Sequence, residues 1–164
     1  MWLASRLAAD HDTSAFDSGQ PALDQWLRRE ALRAQQQDVA RTYVWTAPDS
    51  PVVVAYYSLC PTQVAAASVS RSVAGGHSVV PGILLARLAV HRDLQGRGLG
   101  SQLLRDALEV CVASSRIGAG RLIVVDPIDA AARAFYLHHN FIDTRAGDRM
   151  VMKMATARNA LGLA

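Results

Sequence analysis

The chain has 164 residues, of which 51% are apolar and 19% charged, with a formal net charge of +3. That is enough apolar chain for one folded domain with a sizeable core, and it excludes a largely disordered protein. No apolar run has the length of a membrane span. The start, Met1-Trp2-Leu3-Ala4-Ser5-Arg6, meets charge too early for a secretory signal, and Cys60 and Cys111 have no zinc-ligand spacing. The expectation is therefore a cytoplasmic protein with no membrane association and no bound metal. Lys153 is the sole lysine, so the basic charge is nearly all arginine, the residue suited to bidentate phosphate contacts.

Residues 2–9 read as a short strand. Phe16-Asp17-Ser18-Gly19-Gln20-Pro21 is a turn with a helix start, Pro21 sitting in the first helical turn and Ser18 as the candidate cap. The periodicity predicts a helix over about 22–36 with Leu23, Trp26, Leu27, Ala31 and Ala34 as its apolar stripe. Arg28, Arg29 and Arg33 lie off that stripe, either as a solvated face or as a nucleic-acid contact surface. Residues 41–47 and 52–60 read as a hairpin around Pro48-Asp49-Ser50-Pro51. Residues 61–73 are ambiguous, leaning to strand. Residues 74–82, with Gly75, Gly76, Pro81 and Gly82, read as a mobile loop.

Residues 83–90 form an apolar strand broken only by Arg87, and Leu99, Leu103, Leu104, Ala107, Leu108 and Cys111 then recur at helical spacing. Between strand and helix lie Gly96, Gly98 and Gly100. Glycines let backbone approach a ligand closely, and the first turn of a helix offers free N–H groups and a partial positive charge. No acidic residue lies between Gln95 and Arg105. The physical reading is a pyrophosphate seat. A Walker loop would need a Gly-Lys-Ser/Thr ending, which is absent, and the dinucleotide pattern G-x-G-x-x-G fails at Ser101. Further on, residues 114–120 read as a loop, 121–125 as a buried strand and 130–139 as a helix capped by Asp129. Residues 141–144 and 149–154 read as closing strands, and 155–164 as a tail without a clear fold.

Gln95-x-x-Gly98-x-Gly100 after a strand resembles the Q/R-x-x-G-x-G/A signature of the GNAT superfamily of N-acetyltransferases. Asp129 to Phe141 is similar to the family helix N-x-x-A-x-x-F-Y-x-x-x-G-F, matching at Ala132, Phe135, Tyr136 and Phe141. Asp129 replaces the usual asparagine and Asn140 the usual glycine. The resemblance covers residues 52–154 and implies an α/β (α+β) fold. That fold is a single domain over 1–164 with a mixed sheet of six to seven strands, helices on both faces and an acetyl-CoA-binding core at about 83–141. It further implies that the backbone of Leu88, Ala89 and Val90 pairs with the pantetheine arm. The amides of Gln95, Gly96, Arg97, Gly98, Leu99, Gly100 and Ser101 would hold the pyrophosphate, with Asp129 near the coenzyme and Arg97 within reach of a phosphate. Tyr136 would be the acid for the leaving thiolate; a phenol with pKa ~10 stays protonated at neutral pH.

A narrower resemblance lies in Phe16-Asp17-Ser18-Gly19-x-x-x-Leu23-Asp24-x-Trp26-Leu27, Ala55-Tyr56-Tyr57-Ser58-Leu59 and Ala86-Arg87-Leu88-Ala89-Val90. These look like the GNAT toxins of bacterial toxin–antitoxin pairs, with Ser18 in place of a cysteine. The resemblance implies acetylation of the α-amino group of aminoacyl-tRNA and a ribbon-helix-helix antitoxin as partner; a homodimer is a further candidate assembly. Arg28, Arg29, Arg33 and Arg87 are the candidate tRNA residues, Arg87 reading equally well as a buried, paired arginine. No general base is evident, which an α-amine of pKa ~8 tolerates better than a lysine of pKa ~10.4. The five histidines show no ligand spacing and read as surface or turn residues. Competing readings are an acetyltransferase for a protein N-terminus or small-molecule amine, and a silent acyl-CoA-binding module.

Overall fold

A computed structural model describes residues 1–163. Its strands are β1 (Leu3–Arg6), β2 (Arg41–Thr46), β3 (Val53–Ala65), β4 (Val79–Val90), β5 (Leu122–Val125), β6 (Ile142–Asp143) and β7 (Met150–Lys153). Its helices are α1 (Pro21–Arg29), α2 (Ala31–Gln36), α3 (Arg71–Ala74), α4 (Leu99–Gly118), α5 (Ala130–His138) and α6 (Met154–Ala160). The strands form one seven-stranded mixed sheet in the order β1-β2-β3-β4-β5-β7-β6. β4 and β5 are parallel, while β1/β2, β2/β3, β5/β7 and β6/β7 are antiparallel. This is the expected α/β class.

The chain forms two compact units. The first holds residues 1–60 and 86–106. Its core gathers Phe16, Leu27, Val44, Tyr56 and Ala89, with Leu23 and Trp26 of α1 packed against it. Phe16 meets the Tyr56 ring edge-on at 5.5 Å and Trp26 stacks on it at 6.2 Å. Trp45 Nε1 donates to Asp106 at 2.8 Å, tying β2 to α4. The second unit holds residues 61–85 and 107–164, around Val64, Val73, Val80, Leu122, Val124 and Val151.

Several local expectations are corrected. The helix over 22–36 is two helices, interrupted at Glu30. Ser18 does not cap α1: Gln20 holds the cap position with no side-chain bond, and Ser18 Oγ donates instead to Asp24 at 2.7 Å. The strand 52–60 runs on to Ala65, so the ambiguous stretch 61–73 is strand only over 61–65, and its remainder becomes a 3-10 turn at Ala66–Ser68 followed by α3. The expected loop 74–82 is shorter, because β4 begins at Val79. α4 continues through the expected loop at 114–120 as far as Gly118. The tail 155–163 is mostly helix α6, with Met154 and Ala157 buried; Ala164 lies outside the described residues. Small residues masked that helix, since alanine at a buried position carries little hydrophobic signal.

In the second unit, Gly75 caps α3 at φ +66, and a Cβ built there would lie 2.4 Å from Arg121 Cζ. The guanidinium fills that space to reach the Val73 carbonyl at 2.9 Å and the Ser72 carbonyl at 3.2 Å. Gly75→Ala would force a left-handed alanine and displace Arg121 from both carbonyls. The expected loss is about 1–3 kcal/mol of unfolding free energy in a urea titration, and an unchanged midpoint would contradict this packing.

Candidate active site

The glycine loop grows out of the far end of β4. In the second unit, Gly82, Ile83 and Leu84 pair with Leu122, Ile123 and Val124 of β5. β4 then continues to Val90, six residues past its last β5 partner. β4 therefore has no β5 ladder partner along Leu88, Ala89 and Val90, which leaves main-chain hydrogen-bonding groups there for another extended chain. His91 N bonds to the Val54 carbonyl at 2.9 Å, holding the strand end to β3.

After His91 the chain makes a 3-10 turn over Arg92–Leu94, and His91 Nδ1 accepts from Asp93 N at 3.2 Å. His91 is thus a partly buried cap, with its ring edge-on to Phe16 at 6.1 Å, the turn residue of the two readings expected. Gly96 and Gly98 then adopt φ +78 and +77, in the left-handed region that favours glycine. A Cβ at either position would meet nothing within 4 Å, so the backbone conformation, not space, demands glycine here. The N–H groups of Gly96, Arg97 and Gly98 bond to no protein group among the described residues. Leu99 opens α4, whose first turn contains no acid. The result is a run of outward amide dipoles at a helix N-terminus, the chemistry that binds a diphosphate.

The Gln95 side chain works inward: Nε2 donates to the Ser18 carbonyl and to the Val90 carbonyl, both at 2.8 Å. Ser18 is in turn held by buried Asp24, which accepts from Ser18 N at 2.9 Å and from its hydroxyl. Arg92 adds a 3.0 Å ion pair to Asp17. Sequence reasoning missed this support, although Asp17, Ser18, Asp24 and Gln95 were all legible as motif positions. Arg97 is exposed, with one N–H on the Asp93 carbonyl at 3.3 Å.

Arg87 shares the Ala89 face of β4, since alternate residues of a strand point the same way. Its guanidinium carbon lies 3.9 Å from the Trp26 ring centroid. It makes no hydrogen bond or ion pair among the described residues, so the expected alternative of a paired arginine is not what forms. Burial pulls its ionisation down, opposed by Tyr56 and Cys60, and burial raises both of those groups. Arg29 and Arg33 are exposed, without protein partners among the described residues. Arg28, expected to face solvent freely, donates to the Phe16 carbonyl at 2.7 Å.

Tyr136 and Asp129 belong to the second unit. Tyr136 is buried, packed edge-on between Phe135 and Phe141, each at 5.3 Å. Burial raises its ionisation, favouring the protonated phenol. Its hydroxyl bonds to no protein group among the described residues, while no fully buried side-chain polar atom lacks a partner, so the hydroxyl oxygen keeps access to solvent. Asp129 caps α5, accepting from Ala132 N at 2.8 Å, which gives the departure from asparagine a structural role. Asn140 takes φ +70 just past the helix, the conformation for which the family uses glycine. A basic cavity of about 500 Å³ in this unit, lined by His77, Arg121, Lys153 and Arg158 among others, was not foreseen.

The family model described as "Acetyltransferase (GNAT) family" matches residues 7–141, and the chain belongs to that family. It is 42% identical over 160 residues to the tRNA-acetylating toxin of Mycobacterium tuberculosis (strain ATCC 25618 / H37Rv), covering 96% of this chain and 95% of that one. Among solved structures it is similar to AtaT complexed with acetyl-methionyl-tRNAfMet, with a TM-score of 0.89, 25% identity and coverage of 98% of this chain and 99% of that one. It also shares the fold of an AtaT mutant toxin bound to the C-terminus of the antitoxin AtaR, with a TM-score of 0.83, 23% identity and 97% of each chain covered.

The Gln95 bonds generate a prediction. Gln95→Ala removes two donors that fix the loop without removing any loop amide. Acetyl-CoA affinity measured by calorimetry should fall about 5- to 30-fold with the fold intact. Unaltered affinity would show that the loop does not need this brace.

Proposed function

We propose that this protein is an acetyl-CoA-dependent N-acetyltransferase that acetylates the α-amino group of aminoacyl-tRNA, acting as the toxin of a toxin–antitoxin pair in the cytoplasm. The observation that carries the reading is the union of a free-amide glycine loop after an unladdered strand end with 42% identity, over nearly the whole length, to a tRNA-acetylating toxin. The partner this implies is an antitoxin, of ribbon-helix-helix type by resemblance, with a second copy of the chain as a further candidate.

The residues fit the coenzyme. Amides of Gly96, Arg97 and Gly98, continued by Leu99, Gly100 and Ser101 in the first turn of α4, hold the pyrophosphate, and Arg97 can swing from the Asp93 carbonyl to a phosphate. The Leu88–Ala89–Val90 backbone pairs with the pantetheine arm as a strand would. When bound, the thioester supplies an activated acyl carbon. Fixing it beside the acceptor turns a bimolecular encounter into a near-unimolecular one. The neutral α-amine attacks the acyl carbon and releases one proton to solvent as the carbon–nitrogen bond forms, the carbon–sulfur bond breaks, and Tyr136 gives its proton to the departing sulfur and regains one from solvent. An α-amine of pKa ~8 is partly neutral at physiological pH, which is consistent with the lack of an evident base.

Tyr136→Phe should lower kcat by about 10²- to 10⁴-fold and leave acetyl-CoA affinity unchanged. Acetyl transfer at the wild-type rate would remove Tyr136 from the mechanism. The sign of its ionisation gives a second expectation: because the phenol is held protonated above its ordinary range, log kcat/KM for an α-amine should rise with pH through the amine's pKa of ~8. It should then stay level to about pH 10, whereas a fall beginning near pH 8 would assign the acid to another group. Arg29 and Arg33 are proposed as tRNA backbone contacts. Changing both to Glu should raise KM for aminoacyl-tRNA and flatten its salt dependence, without altering acetyl-CoA binding; unchanged KM and slope would dismiss that surface.

A further inference from the structure

Arg87 carries a charge that the chain does not meet. Of the five other half-buried arginines, four are held, Arg41 on Asp38 at 2.7 Å, Arg121 on the Val73 carbonyl, Arg133 on Asp143 and Arg149 on Asp126 at 2.9 Å, while Arg158 lines the basic cavity of the second unit. Arg87 has only the Trp26 face against its guanidinium carbon. A cation withdrawn from water ordinarily has a counter-charge or hydrogen-bond acceptors. Contact with a ring face gives none of the five N–H donors a hydrogen-bond acceptor. Trp26 is itself immobilised, stacked on Tyr56, whose hydroxyl donates to the Leu23 carbonyl at 2.8 Å. The fork is therefore set in place before any ligand arrives, and preorganisation of this kind favours binding.

Its position along β4 matters as much as its charge. Arg87 directly precedes Leu88, Ala89 and Val90, the backbone assigned to the pantetheine arm. At about 3.3 Å per residue, the Arg87 Cα lies roughly 10 Å along the strand from that of Val90, so the residue borders the segment assigned to the arm. An amino acid esterified to a terminal ribose has its nearest anion at the 5′-phosphate of the same nucleoside, and offers no free carboxylate.

Resting on the aminoacyl-tRNA reading above, we propose that Arg87 is an acceptor-binding residue whose N–H fork takes the phosphate nearest the aminoacylated ribose, with Trp26 and Tyr56 holding the guanidinium plane. Two parallel N–H···O bonds then align the α-amine as well as attract the nucleotide. Lysine, a point charge without the fork, meets only half of that requirement.

The test uses two small acceptors, an aminoacyl-adenosine with a 5′-phosphate and the same compound without it, beside intact aminoacyl-tRNA. Wild type should prefer the phosphorylated acceptor by about 10-fold or more in kcat/KM. Arg87→Met, which keeps an apolar stem against Trp26, should abolish that preference. It should lower kcat/KM about 10- to 100-fold for the phosphorylated acceptor and for aminoacyl-tRNA, mainly through KM. The unphosphorylated acceptor and acetyl-CoA affinity should be unaffected, and Arg87→Lys should recover part of the preference. An equal loss on both small acceptors, with or without a lowered melting temperature, would overturn the assignment and make Arg87 a structural group. A preference that survives Arg87→Met would overturn it too. Wild-type turnover of aminoacyl-tRNA reports separately on the parent reading: with no turnover that reading fails, whereas turnover without a phosphate preference rejects the Arg87 assignment alone.

Discussion

Main-chain dipoles that the fold leaves unpaired govern the rest of the molecule. A backbone N–H that pairs with no protein group stays satisfied only by water or a ligand, so an exposed run of them is a ready site for an acceptor. Here β4 outlasts its parallel neighbour by six residues, and the loop after it turns Gly96 and Gly98 into conformations that other residues resist. α4 then begins without an acidic residue in its first turn. The loop and the helix start add positive potential at one place, which suits an anion of diphosphate size, while the strand end offers both N–H and C=O groups to an extended arm.

The brace behind that loop explains why a segment distant in sequence matters to it. Asp24 fixes Ser18, Ser18 receives Gln95, and Gln95 also grips the carbonyl of Val90 at the strand end. α1, which supplies Asp24, also supplies Trp26 to the guanidinium of Arg87. In the proposed function one helix would thus serve both substrates, steadying the glycine loop through one side chain and the acceptor contact through another.

The sequence was most legible where periodicity and glycine spacing coincided. The strand-loop-helix around Gly98, the Asp129 cap, the short buried strand at β5 and the closing strands all formed as expected. It was least legible where a side chain's partner lies far along the chain. Ser18 looked like a cap because its sequence position suited one, yet it turned to Asp24 six residues on. Gln95 was legible as a motif residue, but nothing local disclosed that its amide reaches 77 residues back to Ser18. Arg87 interrupted an apolar strand plainly enough, but only the packing of α1 revealed a tryptophan where an acid was the alternative. The alanine-rich C-terminal helix was missed because its buried face carries too few large side chains to stand out.

The account rests on the glycine loop gripping a diphosphate. Calorimetric titration of the wild-type protein with acetyl-CoA and, separately, with S-acetylpantetheine isolates that grip, because the second compound keeps the thioester and the pantetheine arm but lacks the nucleotide diphosphate. The account predicts that acetyl-CoA binds at least about 100-fold more tightly, the scale of two or more charge-assisted hydrogen bonds. Equal affinity for the two would contradict it.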